Sequence, residues 1–272
     1  MKFHVSSALA AGAAAIAAAV LLLPPADAPD KTGRPGAISA IETVTIRPGR
    51  FAYRVPGEFL KAGRPVDGPM VDKRIRRPLE IMTYQVSAAE YAACVADGAG
   101  EAAEASYAPL ADMPATGVNY RDATSYARWL SRKTGDDWRL PTDEEWAFAA
   151  AERFGDDALG LDDDTNNPAA RWLAAYRNRD SGEIDPAVKP RGHFGTNSNG
   201  LHDLSGSVWE WTSTCYARNR VDVAGRLAES TVNCGVRVIG GRHRGYMSYF
   251  IRDGRSGGCA AGMAPDNLGF RL

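Results

Sequence analysis

Trp209-Glu210-Trp211 places one carboxylate between two indoles, directly after Ser205-Gly206-Ser207-Val208. On a strand, successive side chains point to opposite faces, so the two tryptophans share a face and Glu210 takes the other. Glu210 then either meets water, as the exposed acid of a core strand, or is held by a cation. A turn that presents the carbonyls of Ser205, Gly206 and Val208 beside that carboxylate suits a hard, oxygen-loving ion such as calcium. A second group, Arg242, His243, Arg244, Arg252 and Arg255 with Tyr249, is rich in guanidinium forks and suits a ligand bearing a carboxylate or phosphate. The third group is Cys94, Cys215, Cys234 and Cys259. With no Cys-x-x-Cys pair among them, they do not read as a zinc ribbon or a thioredoxin-like site.

Charge and the N-terminus narrow the class of protein. The chain has 32 basic and 33 acidic residues and a net charge of -1, which offers no overall field for nucleic acid. The run Lys73-Arg74-Ile75-Arg76-Arg77 reads as a solvated loop face. Lys2 precedes an uncharged stretch over residues 5–23, and Ala26-Asp27-Ala28 has the small-x-small form of a cleavage site, so residues 1–28 read as a signal peptide. Pro29 should hinder cleavage, and the uncharged stretch approaches the length of a membrane span, which makes an N-terminal anchor the alternative. Both readings place the folded part in the periplasm or outside the cell. In an oxidising compartment four cysteines can form two disulfides in three pairings. Cys215 with Cys234 is the favoured pair, closing a loop worth about 3 kcal/mol.

The elements that must position these groups follow from local pattern. Prolines at 24, 25, 29 and 35 mark a tether, with residues 29–40 as linker and 41–272 as one domain. Ile41 to Tyr53 alternates as an opening strand, and Arg54 to Arg77 has the glycines and prolines of an irregular loop. Ser87 with Glu90 and Thr142 with Glu145 are capping boxes, so helices start there and these acids are structural. Between them, Ala123, Tyr126, Ala127 and Leu130 recur at helical spacing within Asn119 to Lys133. Beyond Ala175 the chain reads as short strands among glycine-rich turns, giving an α+β class overall.

Four blocks in order resemble the formylglycine-generating enzyme, or sulfatase-modifying factor, family. They are Met82-Thr83-Tyr84-Gln85-Val86-Ser87-Ala88-Ala89-Glu90-Tyr91, Trp138-Arg139-Leu140-Pro141-Thr142-Asp143-Glu144-Glu145-Trp146, Asn199 to Trp211, and Gly240-Gly241 with Asn267-Leu268-Gly269-Phe270-Arg271. The resemblance implies a complex, low-regularity fold related to C-type lectins, in which loops carry the site. It implies calcium at Ser205, Gly206, Val208 and Glu210, and pocket positions at Tyr249, Arg252 and Asn267. It also implies two copper-binding cysteines after the glycine pair, which oxidise a substrate cysteine to formylglycine. Gly245 and Phe250 stand at those two positions, and neither offers a copper ligand.

The expected protein is therefore an exported, divergent relative, a maturation or tailoring oxidoreductase that acts on a peptide or protein without the usual copper site. Arg242, His243 and Arg244 are its expected substrate contacts, and Tyr249, Arg252 and Asn267 its expected catalytic positions. The alternatives are a non-catalytic binding module, copper held instead by His243, Met247 and Cys259, and genuine formylglycine generation. An iron site of the sulfoxide-synthase kind is disfavoured, because His4, His193, His202 and His243 are the only histidines.

Overall fold

The computed structural model describes residues 41–105, 107–159, 185, 187–257, 265 and 267–272. The expected leader and linker, residues 1–40, and Cys259 lie outside the described residues. Among those described, no helix is long and apolar enough to cross a membrane.

Three capping boxes set three helices: α1 over Ala88–Ala96, α2 over Tyr120–Thr134 and α3 over Asp143–Ala150. Each cap side chain, from Ser87, Asn119 or Thr142, accepts the N–H of the third helical residue, whose carboxylate accepts the cap N–H in return. Two donors that would otherwise be orphaned at each N-terminus are thereby satisfied. α2 buries the expected face of Ala123, Tyr126, Ala127 and Leu130, and ends on Gly135 at φ 85.

The opening stretch is two strands rather than one, β1 over Thr43–Ile46 and β2 over Gly49–Arg54, parted at Arg47-Pro48. Proline has no N–H to continue a ladder. The segment expected to be an irregular loop is instead three strands: β3 over Glu58–Lys61, β4 over Arg64–Val66 and β5 over Met70–Ile75. Its glycines and prolines serve as punctuation. Gly63, at φ 78, turns the chain between β3 and β4, and Pro65 lies on an edge strand, where a missing N–H is tolerated. β6, over Leu79–Met82, pairs antiparallel with β1, and β5 pairs with β2.

The main sheet is built on β7, Trp209–Val221, which pairs antiparallel with β8, Leu227–Gly240. With β9 over Gly245–Ser248 the order is β4-β3-β7-β8-β9, and β10 over Leu268–Gly269 runs parallel to the start of β7. Register shifts between Trp211 and Cys215 and between Cys215 and Tyr216 bend the hairpin, as bulges do. The expected disulfide is formed across it, between Cys215 and Cys234. A second disulfide through Cys94 is not formed. Cys94 is a buried free cysteine packed among α1, α2, Trp211 and Phe270, and burial pushes its thiol up to about 11.

Candidate functional site

Glu210 is the acid on which the four blocks converge. Its side chain is 1% exposed and its cation is Arg271, whose Nε and Nη2 reach the two carboxylate oxygens at 2.7 and 2.8 Å. Gln85 donates Nε2 to Oε1 at 2.8 Å, and the Trp146 indole donates Nε1 to Oε2 at 2.9 Å. The remaining guanidinium donors of Arg271 reach the carbonyls of Met82, Thr83 and His202. Each of the four blocks thus sends one side chain, Gln85, Trp146, Glu210 or Arg271, to a single buried charge pair. The glycine pair belongs to the same knot. A Cβ on Gly240 would come within 2.6 Å of the Trp146 ring, and one on Gly241 within 2.4 Å of the Trp209 ring.

Of the two expectations for Glu210, facing water is corrected by this arrangement, and the cation that holds it here is Arg271. Trp209 and Trp211 are 1% and 0% exposed, so both faces of β7 are buried here. The neighbouring turn is tied by protein donors too. Ser207 O accepts from Asn267 Nδ2 at 3.1 Å and Gly206 O from Arg242 Nε at 3.3 Å, while Ser205 donates its hydroxyl to the carbonyls of Arg153 and Gly241. Asp203 and Ser205 both hold φ 60, a left-handed conformation uncommon outside glycine. A calcium ion held through Glu210 would have to displace Arg271, and of the three expected carbonyls that of Gly206 already accepts from a side chain. This donor set does not fit the expected ion.

The expected pocket residues separate into three places. Asn267, Arg242 and His243 gather at the turn. Arg242 lies over the Trp209 ring at 4.9 Å, and His243 sets its ring edge-on to Trp209 and its Nδ1 3.0 Å from Arg244 O. Arg244, expected to contact substrate, is fully buried. It pairs with Asp143 at 2.7 Å and Asp157 at 3.0 Å, between the rings of Tyr53 and Phe154. Tyr53 donates to Asp143 at 2.6 Å, and Tyr246 donates to Asp157 while accepting from Gly57 N. Burial pushes the Tyr246 phenol well above its ordinary value. Arg244 therefore anchors α3 to β9 and does not face a ligand.

Tyr249 and Arg252 meet at the N-terminus of α2. Arg121 Nη2 donates to the Tyr249 hydroxyl at 3.1 Å, with its guanidinium 4.8 Å from the ring centroid. Arg252 forks onto Asp122, Nε at 2.8 Å and Nη2 at 3.0 Å, and its Nη1 reaches Glu104. Those acids hold its charge firmly, raising the guanidinium above its ordinary range. Phe250 packs edge-on to Tyr249 and is 60% exposed, whereas Gly245 is buried in β9. Neither copper-ligand position carries a donor, and Met247 is 2% exposed within the apolar core. Among the described residues, no group of three or more His, Cys, Asp or Glu gathers to hold a metal. Among the described residues the donors do not fit a copper site; Cys259, the third of the alternative ligands, lies outside them.

The fold and the Glu210 knot define a sulfatase-modifying-factor-like domain. The chain belongs to that family: the model of the sulfatase-modifying factor enzyme 1-like domain matches residues 30–272. The formylglycine-generating enzyme of Mycobacterium tuberculosis is 38% identical over 122 residues, 42% of this chain and 38% of that protein. A Mus musculus relative, inactive C-alpha-formylglycine-generating enzyme 2, is 29% identical over 173 residues, 59% of this chain and 48% of that protein. The matched region thus spans less than half of either curated relative. Among solved structures, PvdO from Pseudomonas aeruginosa shares the fold, with TM-score 0.53 and 22% identity over 84% of this chain and 92% of that one.

Proposed function

We propose that this chain is an exported tailoring protein that holds a peptide or protein and takes part in its maturation without thiolate-bound copper. The observation that carries the reading is the surface of Tyr249, Phe250 and Arg121, set on the ion pairs of Arg252 with Asp122 and Glu104. Exposed aromatic and arginine side chains that are already fixed in place lose little freedom on binding, which suits them to anchor a ligand. In this reading Tyr249 contacts the bound substrate through its hydroxyl, and Arg252 is a positioning residue. Export is supported by the composition of residues 1–28 and by the Cys215–Cys234 disulfide, a bond that persists in oxidising compartments.

The test is deletion of the gene in its host, followed by mass spectrometry of exported peptides and proteins. A discrete mass change should be restored by the wild-type chain and not by Tyr249→Phe. If deletion changes no mass, the tailoring reading fails. The second reading, a non-catalytic binding module, is favoured by the likeness to a relative named as inactive and by Gly245 and Phe250 at the ligand positions. It expects Tyr249→Phe and Phe250→Ala to weaken capture of a partner, with no mass change in either. For localisation, an alkaline-phosphatase fusion to the C-terminus should be active, and an inactive but full-length fusion would contradict export.

A further inference from the structure

The outer half of β8 carries an open sheet edge. On one side, residues 229–233 pair with β7 in unbroken register, from Glu229 opposite Arg220 to Asn233 opposite Tyr216, with register shifts only beyond that stretch. On the other side, β9 covers β8 from Val236 to Ile239 and no further. Among the described residues, no strand continues along that side toward the tip of the hairpin. Residues 229–233 are all exposed, so the backbone N–H and C=O groups that face away from β7 are left for water or for a further strand.

Exposed edges are commonly blunted by lysine, proline, inward charge or a covering loop. Glu229-Ser230-Thr231-Val232-Asn233 has neither lysine nor proline, and its one charge, Glu229, is met by Arg220 at 3.4 Å. Val232, a β-branched apolar residue suited to a strand, is 63% exposed. The Cys215–Cys234 disulfide ties the hairpin where the edge opens, so little of its backbone has to be ordered on binding. The edge also leads to the Tyr249 surface. Beyond Ser248 the chain makes one more bond to β8, from Tyr249 N to Gly235 O at 3.0 Å, and then turns at Phe250. Tyr249 and Phe250, the latter 60% exposed, therefore stand at the inner end of the open edge.

We propose that an extended peptide segment adds to β8 as a strand beside residues 229–233, with one end against Tyr249 and Phe250. Main-chain hydrogen bonds supply the affinity and alternate side chains the selectivity, and proline is excluded from the paired residues. The proposal rests on the tailoring reading in taking a peptide as the occupant. The geometry favours that occupant over a second copy of this chain. Five paired residues span about 17 Å, so two copies meeting along this edge alone would bury well under the roughly 1,200 Å² of a stable interface. A single extended segment gains the Tyr249 and Phe250 contacts as well.

The test is titration of the purified, isotope-labelled full-length protein with the peptide acetyl-Ser-Thr-Val-Thr-Val-Thr-Ser amide, followed by backbone amide resonances and hydrogen exchange. The control is the same peptide N-methylated at its central Val-Thr-Val, which keeps the side chains and removes donors from both of its edges. The expected result is saturable binding that shifts the amides of residues 229–233 together with those of Tyr249 and Phe250 and slows their exchange. The control should bind at least about tenfold more weakly, in line with lost main-chain hydrogen bonds. No saturable binding would overturn the proposal, and equal binding by the control would overturn it too, because side chains alone would then account for the contact. Protection of residues 229–233 that rises with protein concentration in the absence of peptide, with a dimer in sedimentation, would assign the edge to a second copy instead. These outcomes separate from those of the gene deletion. Edge binding without a mass change leaves this proposal standing while the tailoring reading fails, and a mass change without edge binding does the reverse.

Discussion

Glu210 and Arg271 bury opposite charges at 1% and 0% exposure, with every carboxylate oxygen met by two donors. Taking one partner away leaves the other charged, desolvated and unpaired, which typically costs 3 to 5 kcal/mol. Arg271→Met is therefore expected to lose about that much stability in urea unfolding. The double change Glu210→Gln with Arg271→Met should lose clearly less than the sum of the two single changes, because neither charge is then left alone. A loss under about 1 kcal/mol for Arg271→Met would show that the pair does not hold the four blocks together. The sequence left Glu210 to meet either water or a cation, and the cation it meets lies 61 positions away. Strand alternation cannot name a partner brought in by a parallel strand at the far end of the chain. Arg244 misled for a related reason: its neighbours Arg242 and His243 suggested a cationic face, while Asp143 and Asp157, which neutralise it, come from another part of the fold.

The elements were legible to different degrees because their signals differ in range. Capping boxes are complete within four residues, so the starts of α1 and α3 could be read directly from Ser87 with Glu90 and Thr142 with Glu145. Strands β3 to β5 are short, and their glycines and prolines mark turns and edges, which a local reading takes for loop. What makes Glu58–Lys61 a strand is pairing with Arg218–Val221, a contact that no window of sequence contains. The β7–β8 hairpin depends on a covalent tie as well. Its outer half on β8, Leu227 to Cys234, is exposed, so little apolar burial holds that half in register. A disulfide closing a loop of this length contributes about 3 kcal/mol, mainly by restricting the unfolded chain. For a domain of this size that corresponds to a fall in Tm of about 6 to 12 °C when Cys215 and Cys234 are both changed to Ala. An unchanged melting curve in reducing buffer would mean that the hairpin registers without its bond.

Across the whole molecule, the residues that identify the family are those that fold it, and they say little about chemistry. Gln85, Trp146, Glu210 and Arg271 meet one another, and Gly240 and Gly241 admit the rings of Trp146 and Trp209. The fold can therefore be inherited intact while the two ligand positions carry glycine and phenylalanine, as expected when function resides in sites grafted onto a scaffold. The same reasoning bears on calcium. Arg242 and Asn267 donate to the carbonyls of Gly206 and Ser207, and Arg271, Gln85 and Trp146 saturate Glu210, so this turn is cross-linked by side chains of the chain itself. An ion present at a hundred times its Kd would add about 2.7 kcal/mol, a rise in Tm of about 5 to 11 °C. The expected outcome is no shift with either EDTA or millimolar calcium, while Arg242→Ser lowers Tm in both buffers alike. A calcium-dependent rise of that size in the wild type would mean that Glu210 exchanges its arginine for a metal, and that the turn is built for an ion after all.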